Sequence, residues 1–400
     1  MKRFNRIIST LVAGALLAGS LVGCGSTNTA ESTTEVTEAI AAAETTEAQV
    51  EEVVESATKE DANESTGDDK IEIVTTIFPE YDWVKAVLGD NPANAEITML
   101  LDNGVDLHSY QPTADDIIKI STCDMFVYVG GESDEWVEDV LASAENKDMK
   151  VINLMDILSD LVKEEEVVEG MESEHHHDDE DEDEHEHEDA DHDEEEHEDA
   201  DHDEDEHEDA DHDEDEHEEE EVEYDEHVWL SIKDAVVLMY YLEDAISTID
   251  AANADLYKKN TEDYIAQLED LDKQYEEVVL ASSVNTILFG DRFPFRYFAD
   301  DYKLKYYAAF TGCSAESEAS FETITFLSSK VDELSLKTVL TIEGDNHKIA
   351  ETIVENTKTK DQKILTMDSM QSVTSSDIEA GKTYLSIMQD NLEVLEEALK

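Results

Sequence analysis

The sequence predicts an α/β protein made of two lobes with parallel-type sheets joined by one long helix. Three observations predict this class. Short β-branched segments alternate with helical patterns from residue 71 to 154, the alternation resumes at residue 285, and an unbroken helical pattern, Ala254 to Ala281, lies between the two. Parallel strands need crossover connections, so strands that alternate with helices favour parallel sheets. At 1.5 Å per residue the long helix would measure about 42 Å, which is enough to span both lobes.

The first lobe is predicted over residues 71–252. Its apolar strands end at proline, glycine or asparagine positions, and its helices show the 3.6-residue spacing of apolar side chains. The predicted strands are Ile71–Phe78, Glu96–Leu101, Met125–Val129 and Lys150–Leu154, and the predicted helices are Tyr81–Leu88, Thr113–Ile120 and Ile232–Ile249.

The linking helix is predicted within residues 253–282 and the second lobe over residues 283–400. The predicted strands are Asn285–Phe289, Lys305–Phe310, Thr338–Ile342 and Lys363–Thr366, and the helices are Phe293–Tyr302, Phe321–Leu334, Lys348–Asn356 and Thr383–Leu399. Ligand sites in such sheets lie beyond the carboxyl ends of the strands. Loops that follow strands are therefore where functional side chains are expected.

Charge limits the possible partners. The chain has 26 Lys and Arg against 106 Asp and Glu, a net charge of −80 at pH 7. Such a surplus of negative charge repels phosphate backbones and anionic lipid headgroups, so a nucleic-acid partner is not expected. Cations are the expected partners.

The N-terminus predicts a secreted lipoprotein. Basic residues precede an apolar run that is short for a membrane span, as in a signal peptide over residues 1–23. The sequence Leu21-Val22-Gly23-Cys24 resembles the bacterial lipobox, which implies a lipid on Cys24 and a location on the outer face of the cell membrane. Residues 24–70 lack aromatic residues and proline, which is typical of a disordered tether.

An acidic, histidine-rich insert is predicted to be disordered over residues 172–226. It holds 38 of the acidic residues, no Lys or Arg, and three ten-residue repeats close to HEDADHDEDE. Imidazole together with carboxylate suits zinc, copper or nickel, although an acidic spacer without metal is the alternative. The predicted accessory metal-capturing residues are His175, His176, His177, His187, His192, His197, His202, His207, His212 and His217.

Two histidines outside the insert lie in loops where ligands could converge. His108 stands in His108-Ser-Tyr-Gln-Pro-Thr, and His227 in Asp225-Glu-His-Val-Trp-Leu-Ser. Taken alone, either could be a structural residue. Together with the insert, the long helix and the Thr366-Met-Asp-Ser-Met segment, they follow the order seen in the zinc/manganese solute-binding lipoproteins of bacterial ABC importers. The chain resembles that family over about residues 71–400.

The resemblance implies a metal held in the cleft between two lobes joined by a rigid helix. Carried over by motif, His108 and His227 would ligate from the first lobe and Asp368 from the second, with Glu343 beside the metal as a ligand or orienting a ligand histidine. The implied ion is Zn²⁺, with Mn²⁺ as the alternative. The implied partner is a membrane permease, and the protein is expected to be a monomer without catalytic activity.

The third ligand loop departs from the family pattern. The family usually has His or Glu before a helix ending in Tyr-Phe, whereas Arg292 stands there in Gly290-Asp-Arg-Phe-Pro-Phe-Arg-Tyr-Phe. A guanidinium has no acceptor and cannot ligate a cation. Asp291 could take the position, and Glu316, Glu318 or water are further candidates. Alternatively, Arg292 could pair with Asp368 or Glu343, or receive an anionic group of a chelated metal.

Three functional hypotheses follow from these features. The leading one is delivery of a divalent transition metal, zinc above all, to an ABC permease. The alternatives are a metal-buffering or adhesive surface lipoprotein without a transport partner, and a binder of a metal chelate or small anion. The sequence leaves open whether Cys123 and Cys313 are free thiols, a disulfide or pocket residues.

Overall fold

The computed structural model describes residues 70–172, 223–314, 318–344 and 346–400. The predicted signal peptide, Cys24, the tether up to residue 69 and the accessory histidines of the insert lie outside the described residues. Glu316 also lies outside them.

The first lobe is built on a four-stranded parallel sheet. Its strands are β1 (Glu72–Thr75), β2 (Glu96–Met99), β3 (Met125–Tyr128) and β4 (Lys150–Asn153), in the order β2-β1-β3-β4. Ile73 in β1 pairs with Ile97 on one side and Met125 on the other. The helices are α1 (Phe78–Leu88), α2 (Ala114–Thr122), α3 (Trp136–Ser143), α4 (Leu154–Leu158) and α5 (Ile232–Ile249).

A single 28-residue helix, α6 (Ala254–Ala281), connects the lobes. It buries one stripe of side chains at helical spacing, namely Tyr257, Thr261, Ile265, Leu268, Leu271 and Tyr275. Near its middle the Tyr264 hydroxyl lies 3.4 Å from Asp82 of α1, and further along Asp272 accepts a 2.8 Å hydrogen bond from Tyr302 of the second lobe. The helix is thus anchored to both lobes. Among the described residues, no helix has both the length and the apolar character needed to cross a membrane.

The second lobe contains parallel strands covered by helices. The strands are β5 (Thr286–Leu288), β6 (Arg292–Phe293), β7 (Lys305–Tyr307), β8 (Phe310–Thr311), β9 (Thr338–Thr341) and β10 (Lys363–Thr366). The helices are α7 (Arg296–Tyr302), α8 (Phe321–Leu334), α9 (Lys348–Asn356), α10 (Ser375–Glu379) and α11 (Tyr384–Ala398). A parallel bridge between Phe289 and Leu340 connects the β7-β5 pair to the β9-β10 pair, and β6 pairs with β8. The α/β class predicted from the sequence is confirmed.

Most predicted elements are present, and a few boundaries were wrong. The predicted helix Phe293–Tyr302 begins only at Arg296, because Pro294 disfavours helical geometry at Phe293, which lies in β6 instead. The predicted strand Lys305–Phe310 is two strands, since the amides of Ala309 and Phe310 turn to donate to the carbonyl of Asp291. The sequence patterns gave no indication of α3, α4 or α10.

The C-terminal limit of the predicted disordered insert is corrected. Residues 223–226 belong to the fold: the amide of Glu165 donates to the carbonyl of Glu223 at 2.9 Å, and the amide of Asp225 to that of Lys163 at 2.9 Å. Asp225 and Glu226 are each only 2% exposed. Composition placed these acids with the insert, whereas hydrogen bonding places them in the first lobe.

Candidate metal centre

His108 is held by the loop that follows β2. It lies in the short 3-10 turn Leu107–Ser109, where the Asp106 carboxylate accepts a 3.1 Å hydrogen bond from the His108 amide. The imidazole Nδ1 lies 2.8 Å from Ser133 Oγ and 3.3 Å from Glu226 Oε2. Because Nδ1 already has these polar partners, Nε2 is the ring nitrogen available to bind another group.

His227 is fully buried just before the 3-10 turn Val228–Leu230 that leads into α5. Its Nδ1 lies 3.0 Å from Asp225 Oδ1, and its ring packs against Trp229 with 5.2 Å between centroids. The Asp225 backbone is itself anchored, because its carbonyl accepts a 2.7 Å hydrogen bond from the Tyr297 hydroxyl. A carboxylate on Nδ1 fixes the ring orientation and leaves the Nε2 lone pair available.

The two imidazoles meet a thiol. The Nε2 atoms of His108 and His227 are 3.2 Å apart, and the ligand atoms of His108, His227 and Cys313 all lie within 4.8 Å of one another. These three residues form the imidazole–thiol cluster. An adjoining cavity of about 210 Å³ is lined by His108, Glu132, Ser133, Glu165, Glu223, Tyr224, Glu226 and Cys313.

The cluster lies in a strongly anionic setting. Burial and neighbouring carboxylates, first among them Glu223, raise the pKa of Glu132, and burial also raises the pKa of Glu165. Burial disfavours protonation of His227, but the charge and hydrogen bond of Asp225, together with the charges of Glu226 and Asp106, outweigh burial, and the pKa of His227 is raised. A nearby cation stabilises the charged form of such carboxylates, which burial and neighbouring negative charges disfavour, so this environment favours a bound metal.

The sequence indicated a role for Cys313 only weakly. It named the thiol as one possible pocket residue, and the structure places it in the cluster as a free cysteine. Cys123, the other free cysteine among the described residues, is buried at the end of α2 beside Met149 and is not part of the cluster. The signal that could have singled out Cys313 is its position just after an apolar strand, at a loop facing the first lobe.

Asp368 and Glu343 lie together on the second lobe, outside the imidazole–thiol cluster. The half-buried carboxylate of Glu343 accepts hydrogen bonds from the Ser369 amide at 2.6 Å, the Ser369 hydroxyl at 2.8 Å and the Gln371 amide at 3.0 Å. Burial, followed by the charge of Asp368, raises the pKa of Glu343. The Ser369 carbonyl accepts a 2.9 Å hydrogen bond from Trp229 Nε1, so the Asp368 loop packs against the residue that contacts His227.

Asp291 and Arg292 are engaged elsewhere than the cluster. Asp291 uses both carboxylate oxygens on backbone amides, those of Arg292 at 2.9 Å and Ile342 at 3.3 Å. Arg292 pairs with Asp106 at 2.6 Å, not with the Asp368 or Glu343 that the sequence suggested. Glu318 is exposed.

Two parallel-sheet lobes bridged by a long helix, with imidazoles from one lobe and a thiol from the other, define a two-lobed metal-binding protein. The sequence agrees with this class at the level of family. The chain belongs to the ZnuA family, described as zinc-uptake complex component A, periplasmic, whose model matches residues 73–398. The resemblance inferred from the motifs is thereby confirmed.

Individual relatives support the same assignment. The zinc-binding lipoprotein AdcA of Streptococcus pneumoniae (strain ATCC BAA-255 / R6) is 28% identical over 339 residues, which are 84% of this chain and 57% of that protein. The high-affinity zinc uptake system protein ZnuA of Bacillus subtilis (strain 168) is 27% identical over 331 residues, 83% of this chain and 88% of the relative. The chain thus spans little more than half the length of the streptococcal relative.

Solved structures show the same fold. The crystal structure of Zn(II)-bound AdcA from Streptococcus pneumoniae superposes with a TM-score of 0.59 at 25% identity and covers 83% of this chain and 58% of that chain. The metal-dependent lipoprotein YcdH from Bacillus subtilis superposes with a TM-score of 0.59 at 22% identity and covers 82% of this chain and 99% of that chain.

Proposed function

We propose that this chain is the extracytoplasmic binding component of an ABC importer, which captures Zn²⁺ and delivers it to a membrane permease. The observation that carries the proposal is the pair of Nε2 atoms, 3.2 Å apart, on His108 and His227. Two nitrogens bound to one tetrahedral zinc at 2.0–2.1 Å lie about 3.3 Å apart. The imidazoles therefore stand at nearly the separation that a shared zinc requires.

The residues around the pair support this role. Both Nδ1 atoms have polar partners, Asp225 for His227 and Ser133 with Glu226 for His108, which is the arrangement that orients imidazole ligands toward a metal. Zinc capture and release need no catalytic group, and we propose none.

Asp368 remains our proposed donor from the second lobe, with Glu343 holding its loop. The loop packs on Trp229, which contacts His227. Asp368 Oδ1 accepts a 2.8 Å hydrogen bond from the Met370 amide and Oδ2 lies 3.9 Å from Lys382 Nζ, and we propose that the carboxylate exchanges these partners for the metal. Asp291 is less suited to ligation than the sequence suggested, because both its carboxylate oxygens accept backbone hydrogen bonds.

The remaining parts of the proposal concern location and supply. We propose that a lipid on Cys24 anchors the protein, as a monomer, to the outer face of the cell membrane. We also propose that the histidine-rich insert gathers metal for the site. Its C-terminal end supports this, since Glu223 and Tyr224, where the described chain resumes, line the cavity beside His108.

Metal titration of the purified protein tests the function. Zinc binding is measured by competition with a chelator, both in the chain from residue 25 onward and in a variant lacking residues 173–222, so that the insert cannot mask the pocket. His108→Ala and His227→Ala should each weaken binding more than tenfold, about 1.4 kcal/mol, whereas the matched control His347→Ala should not.

Two results would contradict the proposal. Zinc affinity that is unchanged in both histidine variants would show that His108 and His227 do not form the zinc site. A deletion strain that grows normally in chelated medium and accumulates as much zinc as the parent would contradict the transport role.

A further inference from the structure

We propose that the Cys313 thiolate is the second lobe's ligand to the metal, in the role that a third-loop histidine or glutamate has in the family pattern, and that it selects thiophilic ions over manganese. The inference rests on the proposed function and deepens it by naming the class of ion carried. The donor set would be two imidazoles, one thiolate and a fourth donor, for which Asp368 is the candidate.

The geometry of the cluster fits such a donor set. Cys313 Sγ lies within 4.8 Å of the ligand nitrogens of His108 and His227. In a tetrahedral zinc site with Zn–N near 2.0 Å and Zn–S near 2.3 Å, sulfur and nitrogen are about 3.6 Å apart. The separations in the cluster exceed this value by about 1.2 Å at most, so a small shift of the thiol would complete the arrangement.

The backbone holds the Cys313 loop against His227. A Cβ built on Gly312 would lie 3.0 Å from His227 Cε1 and 3.0 Å from the Phe293 carbonyl oxygen, so a larger residue would push the chain and the imidazole apart by a few tenths of an ångström. On the other side, the Cys313 amide donates a 3.2 Å hydrogen bond to Glu165.

Arg292 is the positioning residue for this arrangement. Its Nη1 donates to the carbonyl of Ser314, the residue after Cys313, at 3.3 Å. Its Nη2 donates at 2.6 Å to Asp106, which caps the turn that carries His108. Although a guanidinium cannot bind a cation, this one joins the thiol loop of one lobe to the imidazole loop of the other. The arginine that departs from the family pattern at residue 292 thus helps to position the thiol at residue 313.

Thiolate ligation has a definite chemical consequence. On binding, the S–H bond breaks, the sulfur keeps the electron pair and bonds to the metal, and the proton is released to solvent. Thiolate sulfur favours zinc and cadmium, whereas manganese favours oxygen donors. The site should therefore hold zinc in the presence of a large excess of manganese.

Cobalt spectroscopy tests the thiolate in the chain from residue 25 onward. The insert contains no cysteine, so it cannot produce a sulfur-to-cobalt charge-transfer band whatever metal it binds. We expect that band in the parent and in the control Cys123→Ser, and its loss in Cys313→Ser. Cys313→His should lose the band yet bind zinc within about threefold of the parent, because a third imidazole replaces the sulfur.

Affinity and selectivity provide independent measurements. Cys313→Ser should weaken zinc binding at least tenfold, and Cys313→Asp should narrow the preference for zinc over manganese at least tenfold. One equivalent of zinc bound at the pocket should slow alkylation of Cys313 at least tenfold. Arg292→Ala should reduce the charge-transfer band and Arg292→Lys should partly restore it, since a purely structural role would leave the band of the folded protein unchanged.

The outcomes separate this inference from the proposed function. If cobalt binds without the charge-transfer band, or if the band persists in Cys313→Ser, then Cys313 is not a thiolate ligand. This conclusion holds even where the histidine variants show that zinc binds at His108 and His227. Loss of zinc binding in the parent overturns both proposals. Equal zinc and manganese affinities in the parent overturn the selectivity.

Discussion

Replacing Asp225 by asparagine should weaken zinc binding while leaving the fold intact. Asp225 Oδ1 lies 3.0 Å from His227 Nδ1 and also accepts a 2.9 Å hydrogen bond from the His227 amide. Asparagine keeps the shape of the side chain but removes its charge. It can also present an N–H to Nδ1, which would favour the tautomer with the proton on Nε2, the atom that must bind the metal.

The size of the effect follows from the ligand that Asp225 supports. Loss of a partner that orients a metal-binding histidine typically costs 10- to 100-fold in affinity, or about 1.4–2.7 kcal/mol. Folding should be largely preserved, because the Asp225 backbone remains bonded to Tyr297 and Lys163.

A competition titration against a zinc chelator measures the affinity, and urea unfolding of the metal-free protein measures stability. Asp250→Asn is the matched control, since Asp250 accepts hydrogen bonds from Tyr257 and Asn253 far along the chain from the cluster. Parent-like zinc affinity in a folded Asp225→Asn protein would refute the assigned role of the carboxylate.

Three further predictions concern stability and loop order. Gly290→Ala should destabilise the protein by about 1–3 kcal/mol in urea unfolding, because the new Cβ would lie 2.5 Å from Ala350 Cα, a backbone atom that cannot move easily. An unchanged urea midpoint of unfolding would contradict this prediction. Burial, together with the charge of Asp134, raises the pKa of Glu80 from 4.5 to about 8, so the folded state holds a proton that the unfolded state releases. Stability should therefore fall between about pH 5 and pH 8, at up to ~1.4 kcal/mol per unit, and Glu80→Gln should flatten that fall; equal slopes would count against it. Glu343→Gln should speed hydrogen exchange at the Ser369 and Gln371 amides, which both donate to Glu343, and protection equal to the parent would show that the carboxylate does not order this loop.

Local signals were enough to predict most of the architecture. Helices α5, α6, α8 and α9 begin and end where the apolar spacing and polar flanking residues placed them, because a helix is stabilised by contacts three and four residues apart. His108 and His227 were singled out as ligand candidates for a related reason, because each lies in a loop adjoining a recognisable strand or helix, within an identifiable motif. The structure brings their imidazoles together.

Other predictions failed where a local pattern had two interpretations. Asp225 and Glu226 looked like the end of an acidic insert, since composition reports only which residues are near in sequence. Asp225 pairs with Lys163, some sixty positions earlier in the chain, and Glu226 accepts a hydrogen bond from the Ser133 amide, 93 positions earlier. A boundary between a disordered segment and a lobe depends on such pairing.

The sequence by itself determined the α/β class, the long linking helix and the anionic character, and it singled out the two histidines as ligand candidates. Only the tertiary structure decided which side chains share the centre: His108 and His227 are 119 positions apart, and Arg292 and Asp106 are 186 apart. Bringing Cys313 into the cluster needs both lobes folded and the Gly312 backbone against His227. Helix periodicity is set by neighbouring residues, whereas a donor set is set by loops that meet only when distant strands and helices pack.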